Sequence, residues 1–593
     1  MASESIFPSS DEINSAVEGT SERIDFNLAS VFGAKSSVLG DGWNLLQRVF
    51  YFHFRPSQTL TPFGPMSTGD GMRSMIPDDL SNEQLDDLAA SLSRVIDSEY
   101  RARIADVLWL RRKDATMGRV AVQAYLESGI ALEDPENWVV SMERYERAIR
   151  LARQIDPKGE LPRSILRHVE NRVLHYDGRD PSFLTNKALE LLAEFRFGDF
   201  PRLAEVAGRV AGGSRMAGDF RRARFYYFAQ AKHLKLSKDA DGAEAARVSA
   251  ARTFVEEAES REAANEFMVA HSFWGEAIAA YRDRASLRRD IPNLQKRYAT
   301  AGIKLRDEMH QFSSDVVDVT KFIEASRAAV RDLPWEDAFF ELISHVQLIN
   351  PTDLRATVEK GIAEHPIQAT FAANLFDASG RKVGVRPSAF SDDQGQYEKA
   401  ITGFMEQDAR LRRSLKIHAS IAPALRQIID DHEIDSEKLD AVIGDSAFIP
   451  EERRPLFYQA FEAGFRWDFS TALHILVPQV ENALRWVLEQ HDVSPVNIDA
   501  EGVEEVWGYE RILGHPKILE TLGSDFVFEL RSILVERLGP NLRNLFAHGA
   551  LSPDAFAGEV AVYLWWVILR LAAFPTSGMQ AFVDRKKAAV RTQ

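Results

Sequence analysis

A chain of 593 residues exceeds what one hydrophobic core supports, so about three or four domains are expected. Its hydrophobic content of 45% is that of an ordinary soluble protein, and the absence of cysteine excludes a disulfide framework and thiolate metal sites. A formal charge of −16 excludes coating of nucleic acid through bulk electrostatics, so any phosphate contact has to be local.

The N-terminal MASESIFPSSDEINS has neither a basic nor an apolar stretch, so no signal peptide is expected and the expected compartment is the cytoplasm. Residues 1–38 are rich in Ser, Glu and Asp without sustained apolar periodicity, which predicts a flexible arm. The stretch FRPSQTLTPFGPMSTGDGMRSMIPDDLS predicts irregular structure. Its Gly69-Asp70-Gly71 is no phosphate loop, because no strand precedes it and no Gly-Lys-Ser/Thr follows.

From Ser81 onward apolar residues recur every three or four positions, and residues 39–185 read as a domain of paired helices. In residues 186–310 a Gly-Asp-Phe turn occurs twice, at Gly198-Asp199-Phe200 and Gly218-Asp219-Phe220, each followed by an amphipathic helix. The helix with Ala223, Tyr226, Tyr227 and Ala229 resembles the second helix of a tetratricopeptide repeat (TPR), and SFWGEAIAAYRD at 272–283 resembles another, which predicts a TPR-like helical array. Residues 311–445 read as a helical connector whose AANLFDASGRKVGVRPS forms a small hairpin or ordered loop.

Residues 446–593 read as one compact helical domain, with Leu473, Leu476, Val477, Val480, Leu484, Val487 and Leu488 as an apolar stripe. Pro478 within that stripe predicts a kink or a helix start. The run VAVYLWWVILRLAAF, residues 560–574, is too short for a bilayer and carries Arg570, so a buried helix is expected and no membrane partner. The terminal DRKKAAVRTQ is basic and expected to fray. The fold class expected is therefore all-α, a TPR-like helical array followed by a C-terminal helical bundle, with a small hairpin or ordered loop in the middle.

The stretch RLGPNLRNLFAHGALSP, residues 537–553, sets Arg543, Asn544 and His548 between helix-breaking Gly-Pro and His-Gly. Pro540 is suited to begin a short helix and Gly549 to close it in a left-handed conformation. On an ideal helix Asn544 and His548 share a face, whereas Arg543 and His548 diverge by about 140°. A second copy related by a two-fold axis would bring them together, which predicts a homodimer through this domain. An Arg and a His converging on a phosphodiester supply a cation for the transition state and a group that moves protons near neutral pH. That is what RNA cleavage without a metal requires.

Arg543-Asn544 followed by His548 and Gly549 resembles the RNxxxH form of the motif of the HEPN (higher eukaryotes and prokaryotes nucleotide-binding) superfamily. Within it the sequence is similar to the bacterial group called domain of unknown function 4209. The resemblance takes in FIPEERRPLFYQAFEAGFRWDFSTALHILVPQVENALRWVL, where the Val-Pro-Gln-x-Glu-x-x-x-Arg core falls on Val477, Pro478, Gln479, Glu481 and Arg485, and more loosely FDASGRKV, RIADVLW and AYLESG. It implies a C-terminal helical bundle that dimerises through its motif helices and a metal-independent ribonuclease without cofactor, of the kind found in toxin and anti-phage systems. It assigns phosphate stabilisation to Arg543, proton transfer or phosphate contact to His548, positioning to Asn544, and support or substrate contact to Glu481 and Arg485. The Tyr that partner-silenced members carry two residues after the motif His is Ala550 here, so that control is not expected.

Each candidate has a plainer reading. Arg543 and His548 suit a helix-end ion pair and a helix-dipole contact, and Glu481 with Arg485 suits an i,i+4 ion pair, the favoured reading for those two. The basic run 281–306 is better read as a solvated face than as an RNA guide, and DDHEID at 430–435 as helix capping rather than a metal site. The expected function is a metal-independent endoribonuclease effector acting on RNA at a composite dimer site, leaving 2′,3′-cyclic phosphate and 5′-hydroxyl ends, with a trigger or protein partner on the TPR-like region. The alternative is a non-catalytic RNA-binding or interaction scaffold dimerised by the same domain.

Overall fold

The computed structural model describes residues 7–20, 23–69, 72–308, 317–377 and 380–591. The chain is an all-α protein with a few two-stranded hairpins, divided into two compact units, Met1–Ala301 and Gly302–Gln593.

In the first unit the described part of the predicted arm is folded, and residues 1–6, 21 and 22 lie outside the described residues. Ser10–Glu18 and Asp25–Leu39 are helices, and Ile13, Val17, Leu28 and Phe32 are fully buried against Trp43, Leu46, Phe50 and Tyr100. The Ser- and Glu-rich composition that suggested a loose arm supplies a cap instead: Ser9 N–H donates to Glu12 Oε2 at 2.8 Å and Glu12 N–H donates to Ser9 Oγ at 3.4 Å. Residues 53–79, expected to be irregular, hold two short hairpins and a 3₁₀ turn; Asp70 and Gly71 lie outside the described residues.

Consecutive helices from Ser98–Arg112 to Phe267–Arg282 then pack each on the next. Both Gly-Asp-Phe turns work the same way. Gly198 (φ 105°) and Gly218 (φ 79°) take the left-handed conformation, and Asp199 and Asp219 accept from Arg202 N–H at 3.2 Å and Arg222 N–H at 2.9 Å. Ala223, Tyr226 and Ala229 are buried as the repeat pattern requires. One apolar cluster runs from Ala102 to Ala250, so no boundary falls at 185, and the division between units falls inside the helix Ile291–Glu308.

In the second unit the predicted connector is no separate body. Phe339, Phe340, Ile417 and Leu425 share one core with Phe461, Leu484 and Trp565. At its centre lies Glu559–Ala573, where Trp565, Trp566, Val567 and Ile568 have no exposure. Trp566 Nε1–H donates to Leu342 O at 3.0 Å, Tyr563 O–H to Glu529 Oε1 at 2.6 Å, and the buried Arg570 to Val346 O. Trp566 Nε1, Tyr563 Oη and Arg570 Nη1 are thus partnered by neighbouring segments, while Trp565 Nε1 and Arg570 Nε, also buried, have no hydrogen-bond partner among the described residues. No single helix among the described residues is long and apolar enough to cross a membrane.

One local expectation is met and two change in part. Pro478 neither starts nor ends its helix, which runs over Phe469–Glu489. Asp435 caps the helix Ser436–Ile443 by accepting from Lys438 N–H at 2.9 Å, in keeping with the capping reading. The C-terminal basic segment is helical through Arg591, held where Arg585 meets Asp337 at 2.5 Å and Lys586 meets Glu341 at 2.7 Å.

The predicted hairpin is present as Ala373–Phe376 paired antiparallel with Lys382–Arg386; Ala378 and Ser379 of its turn lie outside the described residues. Arg386 lies over the Phe404 ring at 3.6 Å, and a Cβ on Gly384 would come within 3.0 Å of the Leu538 side chain. The hairpin is therefore seated against the turn at 537–540.

Candidate functional site

The motif helix spans only Leu542–Ala547. It starts two residues after Pro540, because Asn541 takes the left-handed conformation (φ 48°), which Asn tolerates better than most residues. Its end is a Schellman closure: Gly549 (φ 61°) donates to Phe546 O at 3.0 Å and Ala550 N–H to Leu545 O at 2.8 Å. Leu542 is buried, and the Phe546 ring packs 4.5 Å from the His474 ring. With one face so anchored, Arg543, Asn544 and His548 are exposed.

These three residues line one cleft of about 780 Å³. The divergence expected of an ideal helix does not separate them, because His548 is already the capping residue (φ −95°, ψ 3°) of a helix less than two turns long. The same cleft is lined by Arg381 and Lys382 from the hairpin, Arg511 from the helix Tyr509–Leu513, and Arg537 from the turn after Pro516–Leu534. With Arg543 these make five cations, against Glu510 as the one acid among the lining residues. In a chain of charge −16 that is a local inversion of sign.

Glu481 stands behind Arg543. Its Oε2 is 3.8 Å from Arg543 Nε, and its Oε1 accepts from Arg485 Nη1 at 3.2 Å. Arg485 Nη1 also donates to Trp507 O at 2.9 Å, which ties the segment before Tyr509 to the helix Phe469–Glu489. The i,i+4 pair expected of Glu481 and Arg485 is present, and so is the acidic partner for Arg543 that the plainer reading requires. Arg543 remains 45% exposed, where an ion pair contributes only about 0–1 kcal/mol and leaves the guanidinium able to exchange partners. Tyr509 also lines the cleft; its hydroxyl donates to Val477 O, and burial together with the Glu481 charge pushes its pKa far above the ordinary value. It is a fixed donor and not a base.

Arg381, Lys382, Arg511 and Arg537 have no counterpart in the sequence reading of the site. FDASGRKV was legible as a hairpin and Arg537 stands beside the motif, but nothing local marks Arg511. The other basic candidate, 281–306, has Arg284 paired with Glu244 at 2.8 Å and Arg297 paired with Glu262 at 2.7 Å, which suits a solvated face.

Residues 29–164 match the family model described as a domain of unknown function (DUF7380). The match begins inside the helix Asp25–Leu39 and lies wholly in the first unit, so it says nothing of the cleft. No curated protein and no solved structure matches the chain.

Proposed function

We propose that the cleft binds the sugar–phosphate backbone of RNA and cleaves it by metal-independent transesterification, the chain acting as an effector of a bacterial defence or toxin-type system. The observation that carries the reading is the gathering of Arg543, Asn544 and His548 with four further cations in one cleft of an acidic protein. The resemblance of RNLFAHG to the HEPN motif, carried by the same three residues, also supports it.

In the proposed reaction the ribose 2′-oxygen attacks the adjacent phosphorus and the 5′-oxygen leaves. One group takes the proton from the 2′-hydroxyl and another gives a proton to the departing oxygen, so the products are a 2′,3′-cyclic phosphate and a 5′-hydroxyl. Arg543 faces the charge that builds on the phosphoryl oxygens, Asn544 orients the backbone, and His548 transfers a proton. His548 is the one histidine among the residues that line the cleft, so the second proton-transfer group is assigned to His548 of a second copy, in a homodimer formed through this domain. The helical array of the first unit is assigned the trigger or protein partner.

The lone imidazole and the Arg543–Glu481 contact also favour a second reading, in which the cleft holds RNA without cutting it. Incubating the purified chain and its Arg543→Ala and His548→Ala variants with RNA in EDTA, then mapping the ends, separates the two. Cyclic-phosphate ends lost in both variants support cleavage. Binding without products supports the second reading, and products that need a metal or persist in both variants overturn the mechanism.

A further inference from the structure

Phosphates are alike in every sequence and in single and double strands, so the cleft's cations do not by themselves set which RNA it accepts. Arg511 differs from the other four. Its guanidinium lies over the Trp507 ring, 3.9 Å from the centroid, and its Nη1 donates to Asn497 Oδ1. The same oxygen accepts from Trp507 Nε1–H at 3.3 Å, so Asn497 fixes ring and guanidinium relative to each other. The Trp507 backbone is held on both sides, by Pro495 O at 2.8 Å and by Arg485 Nη1 at 2.9 Å. Arg511 is exposed, lines the cleft and has no ion pair among the described residues. Arg381 and Arg543 are each engaged by a carboxylate, and Lys382 and Arg537 have no aromatic ring beneath them among the described residues.

A guanidinium whose plane is held on an indole presents a flat cationic face. That geometry stacks on a nucleobase, and the ring behind it strengthens the contact. In an A-form duplex both faces of each internal base are covered by neighbours, so only an unpaired base reaches such a surface. We propose that Arg511, backed by Trp507, is a stacking platform for one unpaired base, so that the cleft selects single-stranded RNA over duplex; the proposal rests on the reading of the cleft as an RNA site.

The test is fluorescence anisotropy on the full chain with a short 2′-O-methyl RNA, which binds but lacks the attacking hydroxyl. The RNA is presented as a single strand, as a blunt duplex, and as single strands with one abasic position moved along the sequence. The single strand is expected to bind about tenfold more tightly than the duplex, and one abasic position to weaken binding by about the same factor. Arg511→Lys, which keeps the charge and loses the plane, is expected to weaken single-strand binding similarly and to erase the abasic effect, while Trp507→Phe keeps it. Equal affinity for duplex and single strand, indifference to every abasic position, or an abasic effect that survives Arg511→Lys would mean that the stack only steadies the adjoining hairpin, Val496–Ile498 paired with Glu504–Val506, and overturns the proposal. Failure of the underlying reading looks different: neither RNA binds, or Arg543→Ala leaves both affinities unchanged.

Discussion

The arginines of the first unit's core and those of the cleft share a side chain and behave as different residues. Arg147 and Asp106 have no exposed side-chain surface and form a bidentate pair at 2.8 and 2.7 Å, completed by Tyr125 O–H on Asp106 at 3.0 Å. Arg103 meets Asp25 and lies 4.7 Å from the Phe63 ring centroid; Arg144 binds Glu99 at 2.7 Å and also reaches Asp25. These guanidiniums are satisfied on all sides and hold helices together. In the cleft, Lys382, Arg511 and Arg537 have no ion pair among the described residues, and Arg543 has a loose one. The difference teaches that a count of basic residues says little about function. What matters is whether the fold supplies the counter-charge or leaves it to a ligand.

The comparison is broken most directly in the core. Arg147→Ala leaves Asp106 charged and buried, and we expect a loss of about 3–5 kcal/mol in the first unit's stability, read by chemical denaturation. Replacing both partners with apolar residues of similar volume is expected to restore most of it, since removing a buried pair is far cheaper than splitting one.

A second buried acid sharpens the contrast through pH. Glu406 in the second unit is pushed up to about 7 by burial, although Ser532 donates to it at 2.5 Å. Its folded pKa lies above the ordinary value of 4.5, so the folded state binds the extra proton between those two values. The part of the stability that this proton contributes is therefore expected to be full below pH 4.5 and to fall by on the order of 1 kcal/mol per pH unit up to about 7. Glu406→Gln should flatten that slope in denaturation curves taken across the window.

Cleft substitutions should do the reverse of core ones. Arg543→Ala is expected to change stability by less than about 1 kcal/mol while abolishing RNA cleavage. A large loss of stability would place Arg543 with the structural arginines. The smallest expected effect is in salt dependence: Arg537→Gln and Lys382→Gln should each lower the slope of log affinity for RNA against log salt by about 1, measured by anisotropy titration.

Local rules were legible where local physics decided the outcome. Gly198-Asp199 and Gly218-Asp219 read as turns because a left-handed Gly and a capping Asp act within four residues. Gly549 closes its helix for the same reason. Composition misled where polar residues served as caps: Ser9 and Glu12 looked like solvent-loving chain, while Ile13 and Val17 beside them carried the burial. Pro540 misled because Asn541, and not the proline, sets the break before the motif helix.

By itself the sequence determined that the chain is helical, where the two Gly-Asp-Phe turns fall, that residues 560–574 are a core helix, and which short stretch presents Arg543, Asn544 and His548. Caps, breakers and apolar periodicity act over a few residues, so they are written in order along the chain. Only the tertiary structure decided that these three residues open into one cleft, that the hairpin at 373–386 delivers Arg381 and Lys382 to it, and that Asn497 locks Arg511 onto Trp507. Those partners stand up to 162 positions from Arg543, and no local preference brings them together. The packing of Gly384 against Leu538 and the tie from Arg485 to Trp507 do so, at distances where a single methyl group or hydrogen bond sets the fit.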